Sequence, residues 1–362
     1  MAEKISANRT VTPNEAKKSI RKCIKIKRPV FLWGPPGIGK SDIVKQIGNE
    51  QNRDVIDVRL SLWEPTDIKG IPYYNSQLNT MSWAPPAELP TDPNSTAILF
   101  LDELNSAAPA TQAAAYQLVL NRRVGTYRLP DGVSIVAAGN RETDKGVTYR
   151  MPAPLANRFL HLELSTDFED WLKWATDNMI HEQVVGYVSF AKQDLYNFDP
   201  KSPSRSFATP RSWSFVSDLL TDDDLEDDTL MDLVSGAIGE GLAHKFMAHR
   251  KVAKQMPNPE DILSGKITKC SIKEISAMYS LGISLCYELK GAADKKAKNW
   301  DALADNYFRF LMDNFPTELT VMSAKIALTN YNLPFDTSKL KNFDEFHEKY
   351  GKYILTAMDQ AF

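Results

Sequence analysis

Gly34-Pro35-Pro36-Gly37-Ile38-Gly39-Lys40-Ser41 combines glycines, one lysine and one hydroxyl in an order suited to a chain of phosphates. The spacing is G-x-x-x-x-G-K-[ST], set between an apolar run and a helical pattern carrying Ile43, Val44 and Ile47. Glycines let backbone N–H groups approach phosphate oxygens closely, and a helix opening at Lys40 adds the positive end of its dipole. Lys40 is then placed to reach the β- and γ-phosphates of ATP, and the Ser41 hydroxyl to ligate Mg²⁺. The loop as a whole, Gly34, Pro35, Pro36, Gly37, Ile38 and Gly39 with Lys40 and Ser41, reads as the nucleotide cradle.

Its acidic counterpart is Asp102-Glu103, which follows the apolar Ile98-Leu99-Phe100-Leu101. A strand ending there sets Asp102 beside Ser41 as a second metal-side group, and Glu103 one residue on, where it can orient and polarise a water. Taken alone, an acidic pair after a strand is equally a helix cap. Asn140 ends a further run, Ala137-Ala138-Gly139. It can hold the attacking water or touch the γ-phosphate, or simply form a turn.

These groups need a scaffold that brings strand ends together. Apolar runs at Val30 to Trp33, Val55 to Leu62, Ala97 to Leu101, Val133 to Ala138 and Phe159 to Leu164 alternate with helical stretches. That alternation predicts an α/β fold, a parallel sheet with helices on both faces. Ahead of it, Thr12-Pro13-Asn14-Glu15 reads as a capping box opening a helix that turns Ala16, Ile20, Cys23 and Ile24 inward. Its lysines and Arg21 read as a solvated face. After Asp167 strand signals nearly vanish. Helices are expected around Leu172 to Ala175, Val184 to Phe190, Trp213 to Leu220 and Leu230 to Phe246, with a proline- and serine-rich loop from Asn197 to Pro210. A break at Met256-Pro257-Asn258-Pro259 precedes further amphipathic stretches, Ile272 to Leu289 and Leu319 to Leu328.

The bulk numbers agree with a globular chain. Among 362 residues, Lys and Arg total 43 and Asp and Glu 46, a net charge of −3 that gives no global pull towards nucleic acid or anionic lipid. Cys23, Cys270 and Cys286 form no CxxC pair and are expected as reduced, buried small residues. The opening Met1-Ala-Glu-Lys-Ile-Ser6 lacks an apolar core and no stretch approaches a membrane span, so a cytoplasmic chain without membrane partners is expected.

At this point the residues resemble the AAA+ ATPases, and within them the MoxR-type branch, from about Val30 to about Arg250. Glu64-Pro65-Thr66-Asp67-Ile68-Lys69-Gly70-Ile71 is similar to the segment opening that branch's insert in helix 2, and Asp102-Glu103-Leu104-Asn105 to its form of Walker B. Leu155-Ala156-Asn157-Arg158-Phe159 resembles the stretch before the fifth strand, and Thr209-Pro210-Arg211 the family's sensor 2. The resemblance implies an AAA+ core over residues 1–165 and a helical lid with sensor 2 over 166–256; past about Arg250 it finds no matching motif, and the proline break with helical periodicity beyond it predicts a helical C-terminal extension over 257–362. It implies Asn140 as sensor 1, Arg158 as an arginine finger reaching a neighbouring subunit's ATP, and Arg211 as sensor 2. It further implies a ring of copies, usually a hexamer, remodelling a client protein, often one with a von Willebrand A domain.

Some of this has independent support. Thr209-Pro210 puts Arg211 in a first helical turn, where a cation opposes the dipole and a nearby phosphate would compensate. Arg158 competes for the finger role with Arg122, Arg123, Arg141 and Arg150. The insert carries Tyr73, Tyr74, Met81 and Trp83, which can grip a client or pack a small hairpin, the latter favoured for Trp83. His244 and His249 fall on different helix faces, and the acidic run Asp222 to Asp228 lacks the glycine of a calcium loop, so neither reads as a metal site. A nucleic-acid motor is opposed by the balanced charge, and an ATP-switched scaffold without turnover by the intact Glu103.

Overall fold

The computed structural model describes residues 9–359 except 145, 147, 222–224 and 272, and only the helical backbone of 355–359. The opening residues, Asp222 to Asp224 of the acidic run and Ile272 of the expected amphipathic stretch therefore lie outside the described residues. The chain divides into two compact units after Asp167.

The first unit runs β1 (Thr10–Val11), α1 (Pro13–Lys25), β2 (Val30–Trp33), α2 (Lys40–Glu50), β3 (Val55–Arg59), α3 (Pro65–Lys69), β4 (Ile71–Asn75), β5 (Thr80–Ala84), β6 (Ile98–Asp102), α4 (Pro109–Asn121), β7 (Arg123–Val124), β8 (Tyr127–Arg128), β9 (Ser134–Gly139), α5 (Ala153–Ala156) and β10 (Leu160–Leu164). Six strands form one parallel sheet in the order β1-β10-β2-β9-β6-β3. Side chains alternate between its faces. Phe31, Leu99 and Leu101 join the core under α4, while Val30, Leu32, Ile98 and Phe100 join the core under α1 and α2. Burial on both faces is why β6 is apolar from Ile98 to Leu101, up to Asp102 at its carboxyl end. The α1 capping box forms as expected, with Thr12 Oγ1 accepting from Glu15 N and the Glu15 carboxylate from Thr12 N.

Two departures matter for the site. The apolar run Val55 to Leu62 does not stay extended: β3 stops at Arg59 and Leu60–Leu62 forms a single 3-10 turn. That turn buries Leu60 while Leu62 stays 75% exposed. The insert forms the hairpin β4–β5. Gly70 must be glycine, because it has φ +87° and a Cβ there would lie 1.9 Å from the Ala84 carbonyl oxygen. Trp83 packs on the β7–β8 turn, where a Cβ on Gly125 would meet its ring at 3.3 Å and Thr126 Oγ1 donates to its carbonyl. Tyr73, Tyr74 and Met81 remain exposed.

The second unit is helical: α6 (Phe168–Asp177), α7 (Glu182–Phe190), α8 (Pro210–Leu219), α9 (Asp227–Ile238), α10 (Glu240–Ala253), α11 (Pro259–Leu263), α12 (Ile275–Asp294), α13 (Trp300–Asn314), α14 (Thr317–Lys325) and α15 (Phe343–Asp359). The stretch Leu230 to Phe246, expected as one helix, is two. Gly239 at φ +89° ends α9, its N–H returning to Ser235 O at 3.0 Å. The expected helix over Leu319 to Leu328 likewise gives way after Lys325 to one wide π-type turn, Ile326–Asn330. The proline break at 256–259 falls inside this unit, where Asn258 caps α11. One hydrophobic core extends on both sides of that break, from Trp171 to Ile354. Among the described residues no helix is long and apolar enough to cross a membrane.

Candidate nucleotide-binding site

The loop after β2 is shaped by glycine backbone geometry. Gly37 and Gly39 have φ +75° and +95°, a region that costs other residues about 1–2 kcal/mol. Nothing lies within 4 Å of a Cβ built on Gly39, so its conformation, and not space, demands glycine. Gly39 caps α2 without a side-chain hydrogen bond, so the first N–H groups of that helix have no side-chain cap. Gly34 N donates to Gly139 O at 3.2 Å, tying the loop to the end of β9.

Four side chains from two strand ends and one helix start converge here. Lys40 Nζ donates to Gly34 O at 2.5 Å, Pro35 O at 3.0 Å and Asn140 Oδ1 at 2.9 Å. Ser41 Oγ donates to Asp102 Oδ2 at 3.0 Å, and Asp102 Oδ1 accepts from Glu103 N at 2.9 Å. Asp102 is only 7% exposed. Asp102 lies beside Ser41 as expected from the sequence, whereas the Lys40–Asn140 contact was not anticipated there.

Glu103 sits in the left-handed region, φ 55° and ψ 32°, where a non-glycine residue is strained. The turn aims its carboxylate at the Ser61 hydroxyl, which donates to Oε2. Ser61 lies in the 3-10 turn after β3, and reasoning from sequence missed it. Ser61 was hidden inside the apolar run Val55 to Leu62, and no local pattern marked it. On β3 itself, burial, then the charge of Asp102 and more weakly that of Glu103, push the Asp57 carboxyl above its usual range, although Lys45 and Arg59 oppose this.

The arginines separate by what they touch. Arg122 donates to the carbonyls of Pro130 and Val133 at 2.6 and 2.8 Å, and Arg141 pairs with Asp144 at 3.0 Å and Glu163 at 3.2 Å. Both are structural. Arg158, just after α5, is exposed, and its guanidinium has no ion pair or hydrogen bond among the described residues. Arg123 and Arg150 are exposed as well. Arg158 does not join the hydrogen-bonded cluster around Lys40. Arg211 belongs to the helical unit, exposed in the first turn of α8, which Thr209 and Ser212 close as a capping box.

With this geometry in place, comparison with known proteins is informative. Residues 29–161 match the family described as "ATPase family associated with various cellular activities (AAA)". That segment is an AAA ATPase domain. A midasin of Giardia intestinalis is 28% identical over 207 residues, 53% of this chain and 4% of that protein. The replication factor C large subunit of Ignicoccus hospitalis is 30% identical over 94 residues, 26% of this chain and 18% of that one. The chain therefore spans a small part of the length of these relatives. Among solved structures, a RuvB variant of Thermotoga maritima is 17% identical with a TM-score of 0.38, covering 83% of this chain and 90% of that one. NtrX of Brucella abortus in complex with ADP is 12% identical at 0.39, covering 93% and 68%. The AAA domain found here contains every residue of the Lys40 cluster, and β10 closes it.

Proposed function

We propose that this chain hydrolyses ATP in its AAA domain and that copies of it assemble into a ring that remodels a partner protein. The observation that carries the first part is the convergence of Lys40, Ser41, Asp102 and Asn140, with Glu103 next in the chain. The Gly34 and Pro35 carbonyls and the Asn140 amide that accept from Lys40 are neutral, and a phosphate makes the stronger acceptor because hydrogen bonds between ionised groups are roughly twice as strong. The loop N–H groups and the start of α2 bind the phosphates. Ser41 and Asp102 would hold Mg²⁺, a hydroxyl and a carboxylate being the protein ligands a mostly hydrated Mg²⁺ takes; bound there, the ion would neutralise developing phosphate charge. Glu103, released from Ser61, orients the attacking water and polarises it, and Asn140 holds that water or the transferred phosphate.

Assembly is supported by Arg158, an exposed arginine without a partner among the described residues and within an AAA domain. In this reading it completes a neighbour's site, Arg211 serves as sensor 2 in a helical lid over 166–256, and 257–362 is a C-terminal extension that shares the lid's hydrophobic core. The MoxR-type motifs support a protein client, including one with a von Willebrand A domain.

Glu103→Gln tests the chemistry. Nucleotide affinity should be kept while turnover falls by about 10²-fold or more; turnover within a few-fold of the parent would assign the base elsewhere. The ring is tested by mixing Arg158→Ala with Lys40→Ala subunits, each inactive alone. A finger acting in trans is worth about 10³-fold or more in rate, so interfaces that pair two intact residues should restore part of the activity. If co-assembled mixtures stay inactive, Arg158 is structural.

A further inference from the structure

Asn105 is 1% exposed in the short turn after Glu103, and its polar atoms reach two other parts of the AAA domain. Nδ2 donates to the Asn140 carbonyl at 2.7 Å, and the Asn105 carbonyl accepts from Tyr149 N at 2.7 Å. Its Oδ1 finds no hydrogen-bond partner among the described residues. An amide rotated the other way would set oxygen against the Asn140 oxygen, so the donor orientation is imposed although it leaves Oδ1 unsatisfied. A buried amide with one half unsatisfied is kept for what its other half does.

Gly139 supplies a second, independent observation. Its φ is not in the left-handed range, yet a Cβ there would lie 2.1 Å from Asn105 Oδ1 and 2.9 Å from Phe31 Cζ. Glycine is needed at 139 because the Asn105 amide fills the space. The Gly139–Asn140 segment is thus held from both sides, by Gly34 N on Gly139 O and by Asn105 Nδ2 on Asn140 O. Asn140 Oδ1 in turn meets Lys40 Nζ at 2.9 Å.

We infer that Asn105 is a positioning residue: it fixes the Asn140 backbone so that the Asn140 side chain stays in register with Lys40 and the transferred phosphate. It touches no reacting atom and acts through Asn140. This inference rests on the proposed ATP hydrolysis and goes beyond it by assigning a role to a residue outside the cluster.

The test compares the full chain with Asn105→Ala, Asn105→Asp and Gly139→Ala, measuring ATP affinity and turnover at saturating ATP separately. Asn105→Ala and Gly139→Ala should keep ATP affinity within about threefold and lower kcat by about tenfold or more, a loss of one positioned hydrogen bond at the transition state. Asn105→Asp is nearly isosteric and gives a readout that a purely structural role would not move. A carboxyl buried against a carbonyl oxygen stays protonated to higher pH, and only its protonated form can donate to Asn140 O. Its kcat relative to the parent should therefore rise as pH is lowered from about 8 to about 6. A kcat within twofold of the parent for Asn105→Ala overturns the inference alone. So does a pH-independent Asn105→Asp deficit in which bound nucleotide falls in proportion to rate. A parent protein without turnover overturns the ATPase reading and this inference with it.

Discussion

Two buried or half-buried cations, one in each unit, show how differently the two halves of the chain use charge. Lys40 in the AAA domain is held by two loop carbonyls and the Asn140 amide oxygen, all neutral. Arg250 in the helical unit is 4% exposed, with Asp227 at 3.0 Å and Gln183 Oε1 at 3.0 Å. Those three neutral acceptors of Lys40 can yield to a phosphate, whereas Asp227 brings Arg250 a carboxylate from within its own unit. The same contrast extends outward. Asp194 in the helical unit accepts from the Tyr187 hydroxyl at 2.7 Å, and its carbonyl from Trp213 Nε1 at 2.9 Å, so buried polar groups there serve packing. At the strand ends of the AAA domain they face one another across a loop whose backbone is bent by positive-φ glycines, and Glu103 accepts strain to sit there. Satisfied polar groups rigidify a core, whereas weakly held ones at strand ends are available for chemistry.

If that contrast is sound, the two units should fail separately. The largest effect is expected from Lys40→Ala, which removes the cation placed for the β/γ-phosphates. Affinity for ATP by calorimetry should drop by about 10³-fold or more while the thermal transition of the ligand-free protein stays put. Unchanged affinity would show that Lys40 is as structural as Arg250, and the contrast would collapse.

Trp213→Ala sharpens the other side. The ring is fully buried between Tyr187 and Phe246, at centroid distances of 5.5 and 5.7 Å, and it gives up a hydrogen bond when truncated. A cost of about 3–5 kcal/mol is expected in denaturant unfolding of the helical unit. ATP affinity of the AAA domain should be spared where that unit remains folded. Loss of ATP binding at the same denaturant concentration that unfolds the helices would mean the units are one cooperative whole.

The smallest effect concerns pH. His249 is buried against Phe190 and Tyr187, with Nε2 and Ser280 Oγ 2.7 Å apart. Burial lowers its pKa from an ordinary 6.5 to about 4, against a weak opposing pull from Glu274. The fold therefore favours the neutral ring, so this contribution is full above pH 6.5 and is lost as pH falls towards about 4. The helical unit should lose on the order of 1–3 kcal/mol across that window, and His249→Gln should flatten the slope. An equal slope in both proteins would place the acid sensitivity on carboxylates instead.

Much of the AAA domain was legible because its determinants are local. The Lys40 loop needs glycines and a following helix, both written in consecutive residues. A strand buried on both faces must be apolar throughout, and parallel strands leave their carboxyl ends on one edge. Those facts alone bring Lys40, Ser41, Asp102 and Asn140 together. The α1 capping box was legible for the same reason, its two hydrogen bonds spanning four residues. The helical unit carried the right periodicity, yet the break at Gly239 escaped, because an apolar stretch reads the same on either side of a glycine that a helix can also tolerate.

Only the tertiary structure decided the rest. No pattern in the chain says that β3 stops at Arg59 and turns Ser61 towards Glu103, for the turn is set by where Leu60 finds the core. Nor could spacing separate Arg122 and Arg141, tied to carbonyls and carboxylates, from Arg158, which is not. Asn105 stood in plain view beside Glu103, but its partner carbonyl lies at residue 140, on a neighbouring strand's end. Local backbone preference and burial pattern are properties of a sequence window; which buried donor meets which acceptor is decided only when the sheet aligns strands far apart in the chain.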